Sequence, residues 1–212
     1  MRNANKDAIQ KTKVAIIGAG FGGLAMAIRL LQSQINDFVI LEKTNDVGGT
    51  WRENQYPGAA CDVQSHMYSL SFAPKTDWSK RYAEADEIFT YIQDITEQYK
   101  LKDYCKFNHE VTHAQFDENR NVWTVEFKDQ PTLEAQFVIF ASGPLHVPQI
   151  PHIKGIEKFK GKVFHSSKWE HDYDLNGKSV ASIGTGGSAI QYIPEIAPEV
   201  KQLYVFQRTA AW

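Results

Sequence analysis

Two glycine-rich turns of this 212-residue chain are each followed by a charged residue, 24 positions after the first glycine of the turn. The first turn starts at Gly18 and leads to Glu42, and the second starts at Gly184 and leads to Arg208. In a dinucleotide-binding βαβ unit, a carboxylate at this place bonds a ribose 2′-hydroxyl, whereas an arginine accommodates a 2′-phosphate. The opposite charges therefore predict two sites for two different dinucleotides.

The first turn has the flanking patterns that such a site needs. A β-branched run at 13–17 predicts a buried strand, an apolar run at 24–31 predicts a helix, and residues 38–41 predict a second strand. The free N–H groups at the start of that helix would face a pyrophosphate. The residues predicted to contact this dinucleotide are Gly18, Gly20, Phe21, Gly23, Glu42 and Lys43.

The second turn repeats the arrangement. Strands are predicted at 179–183 and 202–206, with a helix at 188–193 between them. Pro194 and Pro198 are expected to end that helix early. The residues predicted to contact the second dinucleotide are Gly184, Thr185, Gly186, Ser188, Ala189, Arg208 and Thr209. At both turns, glycines that only permit tight packing stay open as an alternative, and a surface salt bridge stays open for the arginine.

Two dinucleotide sites of unlike charge preference indicate electron transfer, with FAD at the first site and NADPH at the second. Disulfide reduction would need two cysteines close together in the chain, because one thiolate attacks and a second thiol resolves. Cys61 and Cys105 are 44 positions apart, and neither belongs to a Cys-x-x-Cys pair. Oxygen chemistry on the flavin is therefore favoured.

A third pattern lies between the two turns and has the spacing Phe-x-Gly-x-x-x-His-x-x-x-Trp. Its members are Phe159, Gly161, His165 and Trp169. This spacing resembles the fingerprint of Baeyer–Villiger monooxygenases, which also lies between two glycine turns. Residues 49–62 resemble a second motif of that family, and residues 141–143 resemble its linker motif. Segments 65–72 and 169–174 are similar to its 4-hydroxyacetophenone monooxygenase-like branch.

The resemblance implies a monooxygenase that uses FAD, NADPH and O2 to insert one oxygen atom into a ketone or to oxidise a heteroatom. It adds a set of predicted cofactor contacts: Gly49, Thr50, Trp51, Asp62, Tyr68, Val111, Ala141, Ser142 and Gly143. Asp62 is the candidate catalytic residue, because in the family this position helps to orient an active-site arginine near the flavin and nicotinamide. His165 is implied to act in cofactor-coupled motion rather than in bond chemistry.

Simpler roles stay open for several of these residues. A loop aspartate such as Asp62 is often a solvated turn residue, and Trp51 could be a core tryptophan after a turn. His165 and Trp169 could pack in a core, or stack on each other if the residues between them are helical. An N- or S-oxygenating flavin monooxygenase and an inactive nucleotide-binding fragment stay open as alternative functions.

Together these patterns predict an α/β protein with two Rossmann-like dinucleotide-binding domains. An FAD-binding domain is expected over 1–146, with a boundary near His146. A linker with the fingerprint and the first half of an NADP-binding domain are expected over 147–212. Inside the first domain, periodicity predicts an amphipathic helix at 84–99 and a β-hairpin insertion. The strands of that insertion region are predicted at 109–116, 121–128 and 133–140.

Composition excludes several classes of partner. A net charge of −2 with scattered lysines predicts no nucleic-acid partner. No apolar run approaches the ~20 residues of a membrane helix, and the polar N-terminus lacks a signal peptide, so we expect a cytoplasmic protein without membrane association. No metal site is expected. Because the family is much longer than this chain, we expect a fragment, a truncated product or half of a split arrangement, without the active-site arginine. The sequence specifies neither the substrate nor the oligomeric state.

Overall fold

A computed structural model describes residues 9–144 and 147–209. The described residues within 1–50 and 90–146 form one compact unit, and those within 51–89 and 147–212 form a second. Residues 51–89 thus group with the fingerprint and the second glycine turn. His146, where the domain boundary is predicted, lies outside the described residues, and the division at this point stays a prediction.

The described residues form helices and strands in a mixed α/β order. They are β1 (Gln10–Ile17), α1 (Phe21–Gln32), β2 (Phe38–Leu41), α2 (Thr50–Glu53), α3 (Ala85–Gln98), β3 (Cys105–Lys106), β4 (Val111–Asp117), β5 (Val122–Phe127), β6 (Leu133–Phe140), β7 (Ser179–Ile183), α4 (Gly187–Ile196) and β8 (Gln202–Phe206). Short 3₁₀ turns occur at Ser65–Met67, Leu101–Tyr104, Ile156–Lys158 and Ser166–Lys168.

The first unit is built on a six-stranded sheet with the order β3-β2-β1-β6-β5-β4. Strand β1 pairs in parallel with β2 and β6, and Ile16 lies opposite Ile40 on one side and Ile139 on the other. Strands β5 and β4 continue the sheet as an antiparallel hairpin. All four residues of β2 are buried, as expected of an apolar run in a strand that is covered on both faces.

Helices α1 and α3 bury the faces that their sequences predict. In α1 the buried residues Leu24, Ala27 and Ile28 recur at helical spacing. In α3 the same spacing holds for the buried residues Ile88, Tyr91, Ile92 and Ile95. The predicted helices and the predicted hairpin are confirmed, with ends that differ by a few residues. The α/β fold class is confirmed with them.

The second unit contains a two-stranded parallel sheet of β7 and β8, with α4 between the strands in the chain. The prediction that Pro194 ends this helix early is wrong, because α4 continues to Ile196. A proline removes one hydrogen bond from the ladder, and here it stands in the last turn, which the Ala197 N–H closes by bonding the Ile193 carbonyl at 3.0 Å. Pro198 follows the helix end, where proline is common.

Among the residues that the structure describes, no helix is long and apolar enough to cross a membrane.

Candidate dinucleotide-binding sites

The first glycine turn is closely packed by the chain around it. Gly18 has φ +107°, and a Cβ there would lie 2.6 Å from the Ala141 carbonyl oxygen. A Cβ at Gly23 would overlap the Gly18 carbonyl oxygen. Because both positions exclude any side chain, these two glycines are required by the turn itself, with or without a ligand. The tight-packing alternative therefore accounts for two of the turn's four glycines.

Space remains at the other two glycines of this turn. A Cβ at Gly20 would come no closer than 3.7 Å to its nearest neighbour, the Gly49 Cα, and one at Gly22 would lie 3.8 Å from the Ala141 Cβ. Helix α1 begins at Phe21, and no side chain caps its N-terminus. Its first N–H groups therefore lie beside a turn with ordinary clearance, which is the arrangement that binds anions.

Glu42 is buried at the end of β2, and its carboxylate already has protein partners. Its Oε2 accepts a hydrogen bond from the Ala19 N–H at 2.9 Å, inside the glycine turn. Its Oε1 accepts from the N–H and from the hydroxyl of Thr44, each at 2.9 Å. An ionised carboxylate has about four acceptor positions. Glu42 therefore pins the turn to the end of β2 and keeps capacity for one further donor.

The start of the second motif lies against the first turn. The Gly48 N–H bonds the Ala19 carbonyl at 3.0 Å. Gly49 has φ +54°, and a Cβ added there would lie only 3.1 Å from the Gly20 Cα. The linker motif also meets this turn, since the Ala141 N–H bonds the Ile17 carbonyl at 2.9 Å. The structure thus brings together predicted residues from three separate segments.

The remaining predicted residues of the first unit lie at several places around this turn and the sheet. Phe21 stacks on Tyr91 with ring centroids 5.9 Å apart. Lys43 is exposed, and Val111 starts β4 and packs partly against the core. The Cα of Ser142 would lie 3.3 Å from a Cβ placed at Gly18, whereas a Cβ at Gly143 would meet nothing within 4 Å.

The second glycine turn is open. Gly184 has φ +105°, and a Cβ at Gly184, Gly186 or Gly187 would meet no atom of the described residues within 4 Å. The turn leads into α4, whose first turn contains Ser188 and the buried Ala189 and whose N-terminus has no side-chain cap. Thr185 lies between the glycines and is half-buried. The side chains of the described residues leave this space open, so the glycines keep the backbone at the start of α4 accessible.

Arg208 and Thr209 follow β8 and are both exposed. In a parallel βαβ unit the end of the second strand lies at the same edge of the sheet as the glycine turn. The pairing of Ile183 with Phe206, and the 2.9 Å bond from the Gly184 N–H to the Phe206 carbonyl, place β8 in this register. The exposed guanidinium is therefore near the edge that the second turn occupies.

The fingerprint residues have local structural roles that can be named. A Cβ at Gly161 would lie 2.6 Å from the Phe159 ring, so glycine allows that ring to fold over the backbone. The His165 Nδ1 accepts from the Ser167 N–H at 3.2 Å and so caps the short 3₁₀ turn at 166–168. Trp169 does not stack on this histidine. Its ring packs against Phe164, with centroids 5.2 Å apart, and against Tyr192 at 5.4 Å.

Trp169 belongs to an aromatic cluster that also contains part of the second motif. Buried Tyr56, Ala59 and Ala85 form its centre, and Trp51 and Tyr192 pack around them. The Trp51 indole N–H donates to the Tyr68 hydroxyl at 3.1 Å, and the two rings meet edge to face. Burial raises the pKa of Tyr68, the hydrogen bond from Trp51 lowers it, and electrostatic interaction with Cys61 and Asp62 raises it further.

Asp62 is exposed in a bend between Cys61 and the 3₁₀ turn at 65–67, as a loop position predicts. Its carboxylate is thus available to a ligand or to solvent, while its neighbour Cys61 is buried. Thr50 is exposed at the start of α2.

Comparison with known proteins identifies the family. Residues 15–212 match the sequence profile described as pyridine nucleotide-disulphide oxidoreductase. The chain belongs to this family. A Baeyer–Villiger monooxygenase of Streptomyces coelicolor is 48% identical over 203 residues, which are 96% of this chain and 39% of that protein. The chain spans 39% of the length of the first curated relatives that it matches.

Solved structures agree with this assignment. An oxidised steroid monooxygenase bound to NADP has a TM-score of 0.88 and 39% identity, with 96% of this chain and 40% of that chain covered. The OTEMO complex with FAD and NADP has a TM-score of 0.88 and 36% identity, with 95% and 39% covered. These matches confirm the predicted Rossmann-like α/β fold.

Within the pyridine nucleotide-disulphide oxidoreductase family, this chain lacks the features of a dithiol centre. Cys61 and Cys105 are both free thiols. Burial raises the pKa of Cys105 to about 12, and the charges of Glu42 and Asp46 add to the rise. Because the thiolate is the nucleophile in disulfide exchange, a thiol that stays protonated at neutral pH is unsuited to that chemistry. The sequence-based exclusion of dithiol chemistry thus gains a physical reason.

Three residues with clear roles near the predicted sites were not found from the sequence. Thr44 holds the Glu42 carboxylate, Gly58 packs against α4, and Gln191 bonds the second motif. The Pro57-Gly58 pair signals a turn, but a threonine after a strand and a glutamine in a helix carry no comparable signal. The partners of Gly58 and Gln191 come from distant segments and are visible only in the fold.

Proposed function

We propose that this chain forms the FAD-binding and NADP(H)-binding parts of a flavin-dependent monooxygenase, which uses NADPH and O2 to insert one oxygen atom beside a ketone carbonyl. The observation that carries the proposal is the pair of strand, glycine turn and helix units with opposite charges after their second strands. Relatives named Baeyer–Villiger monooxygenases support the same assignment.

The residues of the first unit fit FAD. The uncapped N-terminus of α1 and the clearance at Gly20 suit a pyrophosphate. Glu42 has one acceptor position left for a ribose hydroxyl, and the protein bonds that it already makes hold that position still. Gly49 and Ala141 border the same turn, which agrees with their predicted contacts.

The residues of the second unit fit NADP(H). The space around Gly184, Gly186 and Gly187 lies at the start of α4 and is filled by no side chain of the described residues. An exposed arginine follows β8, and its planar fork of donors suits a 2′-phosphate. This unit thus offers a place for the pyrophosphate at the start of α4, and a place at Arg208 for the 2′-phosphate that distinguishes NADP(H) from NAD(H).

FAD and NADPH, when bound, would supply hydride transfer and the activation of O2. The chain's own residues bind and orient the two groups. Asp62 is the candidate catalytic residue of this chain by the family resemblance, and its exposure leaves the carboxylate accessible to a bound cofactor. By the family resemblance, Asp62 would also help to orient an active-site arginine.

The proposal extends to a branch and a location. Segments 65–72 and 169–174 favour the 4-hydroxyacetophenone monooxygenase-like branch, and the cytoplasm is the proposed location. An aromatic ketone is accordingly the first substrate to try.

The test of cofactor binding is an absorbance spectrum of the purified 212-residue chain, followed by anaerobic addition of NADPH. A yellow protein that bleaches with NADPH is the expected result. A colourless protein that stays colourless after incubation with FAD would contradict flavin binding by this chain.

The test of the reaction uses the longest natural polypeptide that contains this sequence. It is incubated with NADPH, O2 and either an aromatic ketone or an aryl methyl thioether, and the products are separated by chromatography. An ester from the ketone is expected. A sulfoxide without any ester would favour heteroatom oxygenation, and neither product would contradict monooxygenase activity on both substrate classes.

A further inference from the structure

One glutamine of the second unit joins two motifs that lie far apart in the chain. The Gln191 Oε1 accepts from the Tyr56 hydroxyl at 2.9 Å and from the Ala60 N–H at 3.4 Å. Its Nε2 donates to the Ala60 carbonyl at 2.8 Å. A side-chain amide has two donors and two acceptor positions. Gln191 therefore uses most of its hydrogen-bonding positions to bond residues more than 130 positions earlier in the sequence.

The Ala60 backbone needs this partner because of how its segment is paired. Ala60 forms an antiparallel bridge with Glu84, and the residues on either side of Ala60 bond the 83–85 segment at 2.8 and 2.9 Å. In such a pairing, the N–H and carbonyl of the middle residue point away from the partner segment. The Gln191 amide occupies the place that a third strand would take.

Packing brings the preceding residues against the same helix. Gly58 has φ +72°, and a Cβ there would lie 2.9 Å from the Gln191 carbonyl oxygen and 2.7 Å from the Glu195 Cγ. Only glycine permits this approach. The buried Tyr56 ring meets the Tyr192 ring edge to face, with centroids 6.1 Å apart. Backbone approach, ring contact and amide bonds together seat residues 56–60 on α4.

We propose that Gln191 is a positioning residue, which holds the loop that carries Asp62 in a defined place relative to the N-terminus of α4. Asp62 lies two residues after Ala60, and Gln191 lies about one helical turn after the start of α4. A dinucleotide at the second glycine turn would stabilise α4 and, through Gln191, the loop. This inference rests on the proposed function, which assigns roles to both ends of the connection.

The experiment is hydrogen exchange measured by mass spectrometry on the whole 212-residue chain, with and without NADP⁺. The chain is compared with three variants: Gln191→Ala, Gln191→Glu and Gln93→Ala. Gln191→Glu keeps the size of the side chain and the Oε1 acceptor, but it removes the donor to the Ala60 carbonyl. Gln93 is an exposed glutamine of α3 and serves as the matched control. The two peptides compared cover residues 184–190 and 59–63.

We expect NADP⁺ to slow exchange in both peptides of the unaltered chain and of the Gln93→Ala control. In Gln191→Ala, exchange at 59–63 should become about tenfold faster and insensitive to NADP⁺, as the loss of its amide bonds implies, while 184–190 stays protected by the ligand. Gln191→Glu should show the same change with a smaller rise in rate.

The outcomes separate this inference from the proposed function. Protection at 184–190 without protection at 59–63 in the unaltered chain would overturn the positioning role and leave the second dinucleotide site standing. NADP⁺-dependent protection of 59–63 that persists in both Gln191 variants would also overturn it, as would a uniform rise in exchange along the chain. No protection of 184–190 in the unaltered chain would overturn the NADP(H) site, and the positioning role with it.

Discussion

The two glycine turns have similar sequences but differ in how far the surrounding chain requires their glycines. At the first turn, side chains at Gly18 and Gly23 would collide with carbonyl oxygens of the protein. At the second turn, a Cβ at Gly186 would meet nothing within 4 Å. The first turn therefore serves folding and binding at once, whereas the second leaves space that the described chain does not use. At the second turn, a substitution at Gly186 can therefore separate binding from folding.

The strands that follow the turns show the same difference. Strand β2 lies between β1 and β3 in the six-stranded sheet and is buried throughout. Strand β8 has β7 as its sheet partner, and its Tyr204 and Phe206 are 52% and 56% exposed. A two-stranded parallel sheet buries little apolar surface. The first βαβ unit thus has the packing of a core, and the second has that of a surface element.

The largest effect is expected for Gly23→Ala. The new methyl group would overlap the Gly18 carbonyl oxygen, and overpacking of this kind lowers the free energy of unfolding by about 1–3 kcal/mol or more. Denaturant unfolding measures the change. The matched control is Gly22→Ala in the same helix, whose methyl group has 3.8 Å of clearance and should raise stability, as alanine does in helices. Equal stability of the two variants would contradict the packed first turn.

Glu42→Ala is expected to have two effects of similar size. It leaves the buried Ala19 N–H without its acceptor, which lowers the free energy of unfolding by about 1–3 kcal/mol. It also removes the proposed ribose bond, which weakens FAD binding by about 1.5–3 kcal/mol. Denaturation and flavin titration measure these separately. A loss of stability with unchanged flavin affinity would show that Glu42 only pins the turn.

Thr44→Val is the control for this comparison, because it removes one hydroxyl bond to Glu42. The bond from the Ala19 N–H to the carboxylate can remain. The effect of Thr44→Val on the free energy of unfolding and on flavin affinity should be a fraction of the Glu42→Ala effect.

Gly186→Ala tests the open second turn. Gly186 has φ −78°, which alanine adopts without strain, so the stability of the chain should be unchanged or slightly raised. The methyl group would occupy the open space at the turn, and NADP⁺ affinity measured by calorimetry should fall about tenfold, within the range for overpacking. Flavin content of the same sample is the internal control. Unchanged NADP⁺ affinity would indicate that the dinucleotide does not use this space.

Arg208→Ala is expected to have the smallest effect, confined to cofactor choice. Loss of an exposed charge-assisted contact should reduce the preference for NADPH over NADH by about fivefold, near the upper end for exposed ion pairs. The ratio of the two dissociation constants is the measurement. Lys201→Ala, which removes another exposed cation beside β8, should leave the ratio unchanged. An equal ratio in the arginine variant would contradict its phosphate role.

The sequence by itself determined the order and type of the elements that carry the site. Strands at 38–41, 179–183 and 202–206 begin and end where the apolar runs do, and the helix at 84–99 is found within one residue. These predictions succeed because hydrophobic periodicity is a local property of the chain. The prediction for α4 failed at Pro194, because the effect of a proline depends on which turn of the helix it occupies.

Only the tertiary structure decided which glycines are required, which acceptors of Glu42 are occupied and what Gln191 bonds. The neighbours that decide these points are Ala141 for Gly18, Ala19 for Glu42, and Ala60 for Gln191. Each lies more than twenty positions away along the chain. Sequence patterns report local conformation and side-chain chemistry, whereas clearance and hydrogen-bond partners depend on which distant segments the fold brings together.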